Sequence, residues 1–74
     1  MTALDVGIRR HLMVKRLALG LTQQQLAALL GTTQSAVSDM ENNRFDLRLS
    51  TVNRWAAALG VWVVVSWEPL EDET

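Results

Sequence analysis

The sequence predicts a mostly α-helical domain followed by one β-strand. Three observations carry that reading. Thr22 to Arg44, TQQQLAALLGTTQSAVSDMENNR, reads as two short amphipathic helices joined by a tight turn at Gly31. Apolar stripes at helical spacing precede and follow this unit. Val61 to Trp67, VWVVVSW, then abandons that spacing for β-branched and aromatic side chains, the composition of a strand.

Each element has its own local signals. Residues 3–19 form the first expected helix, with Thr2 as its cap and Asp5 placed where a negative charge suits the helix dipole. Leu4, Ile8, Leu12 and Leu19 mark its buried side, Val14 or Lys15 lies near the edge, and Gly20 is the stop. Thr22 is the next N-cap, and Gln25 completes a capping box, T-x-x-Q. Leu26, Leu29 and Leu30 then recur at helical spacing until Gly31, which tolerates the left-handed backbone of a helix stop. Thr33 caps the following helix. Ala36, Val37 and Met40 make its buried stripe, while Gln34, Ser35, Ser38, Asp39 and Asn42 face outward. Asn43 to Arg48 is a loop from which Phe45 plugs the core, with Leu47 and Leu49 doing the same. Ser50 caps the last helix, which buries Val52, Trp55, Ala56 and Leu59 and ends at Gly60. Glu68 and Pro69 stop the strand.

A single strand has no neighbour within so short a chain, so its backbone donors and acceptors need another partner. Two copies pairing antiparallel across a two-fold axis would satisfy them. The expected homodimer interface is Val61, Trp62, Val63, Val64, Val65 and Trp67. The competing reading is a non-strand segment folded back on the helices. The resulting division is a helical domain over residues 1–60, a dimerisation strand over 61–67 and an acidic, disordered tail over 68–74.

Seventy-four residues allow one small domain, whose core is marginal unless it gains stability by association. The sequence has no cysteine, which removes disulfides and thiolate metal sites and fits a reducing cytoplasm. No apolar run resembles a signal peptide or a membrane span. The net charge is −1, but it is unevenly distributed. Residues 1–60 hold all seven basic residues against four acids, an excess of three positive charges. Residues 61–74 hold Glu68, Glu71, Asp72 and Glu73 and no base. Local field rather than total charge governs the approach of a polyanion.

The outward face of the second helix in the pair is the chemical clue. An ordinary surface helix would carry more Lys and Glu there. Glutamine, serine and threonine are instead suited to base edges, and two helices about a tight turn are the layout of a helix-turn-helix DNA reader. The segment from Arg16 to Arg44 resembles the helix-turn-helix of the lambdoid phage repressor and Cro (Xre-type) family, also shared by many bacterial antitoxins. The resemblance lies in Leu19 to Gln23 (LGLTQ), Leu26–Ala27, Gly31 to Gln34 (GTTQ) and Glu41–Asn42. The flanking helices also fall where that five-helix family has them. The C-terminal strand is similar to that of the HipB-like antitoxins that partner HipA-type toxins.

The residue types and the resemblance together give an expected site on double-stranded DNA. Base contacts centre on Thr33, Gln34, Ser35 and Ser38, since a glutamine amide pairs bidentately with adenine N6 and N7 and hydroxyls serve several bases. Asp39 departs from the usual polar residue at its position; it accepts from cytosine N4, discourages acceptor-rich sequences, or only pairs with a nearby arginine. Phosphate contacts are expected from Gln23, Thr32, Asn42, Asn43 and Arg44, with Gln23 also bracing Gln34 by resemblance. Asn43 stands where family members often have glycine. Arg16 and Glu41 match a buried structural ion pair of the family. Arg9, Arg10, Lys15, Arg48 and Arg54 are either phosphate contacts or a solvated face, and His11 alone is not read as a ligand.

No catalytic constellation, phosphate-binding glycine loop or metal cluster is evident, so neither an enzyme nor a cofactor is expected. The expected function is a cytoplasmic, nucleoid-associated transcriptional repressor acting as a homodimer on a two-fold operator. The alternative is an antitoxin that holds a partner toxin and represses its own operon. A module of this fold that binds only protein is a third class.

Overall fold

The computed structural model describes residues 3–42, 44, 46–64 and 69. Among them the chain runs through α1 (Ala3–Ala18), α2 (Gln23–Leu30), α3 (Gln34–Glu41) and α4 (Leu49–Ala58). Helix α2 packs on α3 and α4, and α1 packs on α3 and α4. The core is Leu12 from α1, Leu26, Ala27 and Leu30 from α2, Val37 and Met40 from α3, and Val52, Trp55 and Ala56 from α4, with Leu59 just beyond it. Trp55 is fully buried and is the largest side chain of this cluster. None of the described helices is long and apolar enough to cross a membrane.

Helices α2 and α3 have only eight residues each, too short to persist alone in water. Capping and burial hold them. Thr22 Oγ1 accepts from the Gln25 N–H at 3.0 Å, and the Thr22 N–H donates to Gln25 Oε1 at 2.8 Å, so the capping box is closed in both directions. Gly31 stops α2 with φ 68°, and its neighbour Thr32 donates back to Ala27 O at 2.9 Å. Thr33 Oγ1 then accepts from Ala36 N–H at 3.1 Å and opens α3. The three-residue link between the helices, Gly31 to Thr33, is thereby fixed at both ends.

Several sequence expectations are displaced. Helix α1 stops at Ala18, one residue early, and Leu19 is about half exposed. Its expected place on the core is taken by Leu21, which follows the left-handed Gly20 and packs inward. Leu29 is exposed because Leu26 and Leu30, one turn apart, already define the buried stripe of α2. Ala36 is only half-buried. Helix α4 begins at Leu49 with Arg48 at the N-cap position and no side-chain cap bond, so Ser50 lies inside the helix. Leu49 is therefore carried outward at the first helical position and is exposed, while Leu47 packs on the core. The cap at Thr2, the side-chain placements of Leu4 and Asp5, and the plug at Phe45 fall outside the described residues.

No strand forms among the described residues. Val61, Trp62, Val63 and Val64 carry no regular secondary structure, and Val65, Ser66 and Trp67 lie outside the described residues. Exposure nevertheless alternates along the four: Val61 and Val63 pack against the core, whereas Trp62 and Val64 are 93% and 84% exposed. An alternation of two is the pattern of a chain with one face on a body and the other in solvent.

Gly31 provides a clean test of the turn. A Cβ built there meets nothing within 4 Å, so substitution strains only the backbone. Gly31→Ala should lower stability by about 1–2 kcal/mol, the cost of a left-handed non-glycine residue. Urea unfolding of both proteins measures it; an unchanged midpoint would show that the turn does not depend on this conformation.

Candidate nucleic-acid interface

The geometry of the α2–α3 unit is set from inside the protein outward. Arg16 and Glu41 form an ion pair between α1 and the last residue of α3, with Nε to Oε2 at 2.7 Å and Nη2 to Oε1 at 3.1 Å. Both side chains are buried, at 9% and 2% exposure. The third guanidinium nitrogen, Nη1, donates to Leu21 O at 2.7 Å and so ties the α1–α2 link to the same point. This is a fork-on-carboxylate arrangement, the strong form of an Arg–Glu contact.

Glu41 holds a further partner. Gln23 Nε2 donates to Glu41 Oε1 at 3.0 Å. A carboxylate only accepts, so the amide of Gln23 must present its nitrogen inward. Its oxygen then faces Gln34, whose Nε2 donates to Gln23 Oε1 at 3.5 Å, the long end of hydrogen-bond range. The polarity of the whole row follows from one buried charge. Gln34 is left exposed at the first turn of α3 with its own oxygen and second N–H unengaged by Gln23, the donor–acceptor pair that matches adenine N6 and N7.

The other expected base-contact residues share this region. Thr33 and Ser35 are exposed; Ser38 and Asp39 are half-buried. The Thr33 oxygen is engaged as the α3 cap, which leaves its hydroxyl proton and methyl for an outside partner. Among the described residues, no basic group forms a salt bridge with Asp39. Its backbone carbonyl accepts from Arg44 N–H at 3.1 Å, which closes the end of α3.

The expected phosphate-contact residues divide. Thr32 and Arg44 are exposed. Gln23 is half-buried at the N-terminus of α2, where free backbone amides and the helix dipole favour an anion. Asn42 is exposed as well, and its Nδ2 donates to Ser38 O at 2.8 Å and to Ser38 Oγ at 3.2 Å. Asn43 lies outside the described residues.

Two arginines that the sequence left open between phosphate and solvent bind carbonyls of the protein itself, Arg9 from the interior and Arg54 from an exposed position. Arg9 is 1% exposed and donates from Nη1 to Met40 O at 2.7 Å. Arg54 donates from Nη2 to Leu30 O at 2.9 Å. The C-terminal turns of α3 and α2 thus each receive a guanidinium, the favourable charge at a helix C-terminus. Spacing could have exposed Arg9: Arg9, Leu12 and Arg16 recur at i, i+3 and i+7 and share one face of α1.

Removing one partner of the buried pair should be costly. Arg16→Met or Glu41→Ala is expected to destabilise the protein by about 3–5 kcal/mol, because an uncompensated charge or an empty socket stays behind. The double variant Arg16→Met/Glu41→Leu should lose less than the sum of the two. A double-mutant cycle by chemical denaturation measures the coupling, and additive losses would show that the pair contributes no mutual stabilisation.

Comparison with known proteins agrees with this geometry. Residues 12–61 match a family described as helix-turn-helix, which spans more than half of the chain and takes in the end of α1, all of α2, α3 and α4, and residues 59–61 beyond them. No curated protein matches the chain. With the matched span containing the Thr22–Glu41 unit and its buried brace, the chain belongs to the helix-turn-helix family of DNA-binding regulatory domains.

Proposed function

We propose that the protein is a transcriptional repressor that occupies a two-fold DNA site as a homodimer and excludes other proteins from it. The observation that carries this reading is the exposed Gln34 at the start of α3, held from behind by Gln23 and, through it, by the buried Glu41. Helix α3 enters the major groove with its N-terminal half. Gln34 pairs with an adenine, and Thr33, Ser35 and Ser38 contact neighbouring base edges. The N-terminus of α2 at Gln23, together with Thr32 and Arg44, rests on the phosphates and sets the register. Asp39 discourages sequences that crowd its position with acceptors and favours a cytosine amino group there.

The homodimer is supported by the C-terminal apolar surface. Trp62 and Val64 are almost fully exposed, and Val14 and Leu17 on α1 are about half exposed. Ile8, His11, Leu12, Val14, Lys15 and Ala18 of α1 also line a hollow beside Val61, Trp62 and Val63. Exposed apolar surface of this kind marks an association site. Two copies joined through residues 61–67 would place their recognition helices for successive major grooves, about 34–36 Å apart.

The acidic run after Pro69, opposite in sign to the first sixty residues, supports a second reading. In it the same dimer is an antitoxin whose C-terminal face holds a toxin while α3 represses their shared operon. Co-purification with the product of the adjacent gene separates the two, since a simple repressor binds its operator without that protein.

The primary test is selection of bound sequences from random duplex DNA. An inverted repeat should be enriched, with half-sites one helical turn apart. Gln34→Ala should reduce discrimination at one base pair per half-site by about 1–3 kcal/mol. No enrichment, or identical preferences for both proteins, would refute the assignment. The dimer has a separate test by sedimentation. The full chain should run as a dimer and Trp62→Glu as a folded monomer, because that side chain is 93% exposed in the single chain. A monomeric full chain would eliminate the dimer.

A further inference from the structure

We propose that Asn42 is a specificity-positioning residue. It directs the Ser38 hydroxyl proton outward, so that Ser38 favours a base edge carrying an acceptor (guanine O6 or N7, adenine N7, thymine O4) over the amino group of cytosine. The inference rests on α3 being the base-reading helix.

The argument is one of hydrogen-bond polarity. A backbone carbonyl can only accept, so the contact of Asn42 with Ser38 O at 2.8 Å requires the nitrogen end of the amide. That same nitrogen lies 3.2 Å from Ser38 Oγ. An amide nitrogen donates and does not accept, so in this second contact the hydroxyl oxygen is the acceptor. The hydroxyl proton must then point away from Asn42. Both contacts direct the Asn42 amide nitrogen at Ser38.

Gln34, Ser38 and Asn42 are spaced by four and lie along one row of α3. From Gln34 to Ser38 the helix rises about 6 Å, the height of roughly two base pairs. Gln34 is held at one end of the row by Gln23, and Ser38 at the other by Asn42. The two reading groups thus have independent braces, and changing one need not disturb the other.

The test is selection from random duplex DNA with the full chain and four variants, with the position altered by Gln34→Ala as internal control. Ser38→Ala should flatten a second position close to it in each half-site, lowering a preference of roughly 3–10-fold. Asn42→Ala should flatten that same position, because the hydroxyl is then free to turn, while the Gln34 position keeps its preference. Asn42→Asp should flatten it as well, because a carboxylate cannot donate to Ser38 Oγ and is repelled by the Ser38 carbonyl. If Ser38→Ala alters a position that both Asn42 variants leave unchanged, the inference is overturned while α3 remains the reading helix. If Ser38→Ala alters nothing, Ser38 does not read and the inference is likewise overturned. If the unaltered protein enriches no sequence, the reading of α3 fails and takes the inference with it.

Discussion

The buried carboxylate of Glu41 is the constraint on which the rest of the site depends. It sits at the last residue of α3, where the helix dipole already places partial negative charge. An ionised group there is tolerable only with strong compensation, and the Arg16 guanidinium supplies it through two nitrogens. A hydrophobic pair of similar volume could match such an ion pair in stability. It could not match its directionality. Because the carboxylate accepts and never donates, it fixes which end of Gln23 faces inward, and that choice fixes which end of Gln34 does the same. The charge therefore specifies the orientation of an exposed amide from beneath the surface.

The scaffold answers a related problem, the weakness of very short helices. Helices α2 and α3 cannot bury enough of themselves to persist unaided. They are clamped at their starts by Thr22 and Thr33 and at their ends by cations from other helices. Arg54 of α4 serves the carbonyl of Leu30, and Arg9 of α1 serves that of Met40. With Arg9 on Met40 and Arg16 on Glu41, α1 grips two consecutive residues at the end of α3. The recognition helix is held by its rear while its first turn stays open. Such a support favours precise placement of a few polar groups over adaptability.

The parts legible in the sequence were those governed by local chemistry. The capping box at Thr22, the left-handed stop at Gly31 and the cap at Thr33 each depend on residues within four positions, and the structure has all three. The helical stripes gave the core, including Leu12, Leu26, Val37 and Trp55. What sequence could not reach depended on partners far along the chain. Arg9 and Met40 are separated by 31 positions, and Arg54 and Leu30 by 24, so local sequence showed neither partner and only the place of Arg9 on the Leu12 face of α1 hinted at an inward role. Leu19 and Leu49 were misjudged for another reason. Each flanks a helix end, and a shift of the boundary by one residue rotates a side chain by about 100° and moves it off the core. At the site, the type of each exposed residue was readable, but the direction of each amide was not. That direction arises from the contact of Gln23 with the buried Glu41 carboxylate, 18 positions along the chain at the far end of α3.

Interior use of arginine changes how the charge distribution bears on DNA. Three of the seven basic residues, Arg9, Arg16 and Arg54, are engaged with the protein's own carbonyls and carboxylate. Arg10, Lys15, Arg44 and Arg48 remain for solvent or phosphate, with Lys15 half-buried. A set this small supplies limited counterion release, so non-specific attraction to a duplex is modest. The four acids of residues 61–74 reduce it further. On the proposed reading, affinity then comes largely from contacts that form only on a matching sequence, through hydrogen bonds such as those of Gln34, whose amide Gln23 orients beforehand. A weakly cationic surface and an oriented polar row are complementary on that reading: the first limits binding to arbitrary DNA, and the second favours the site that satisfies its donors and acceptors.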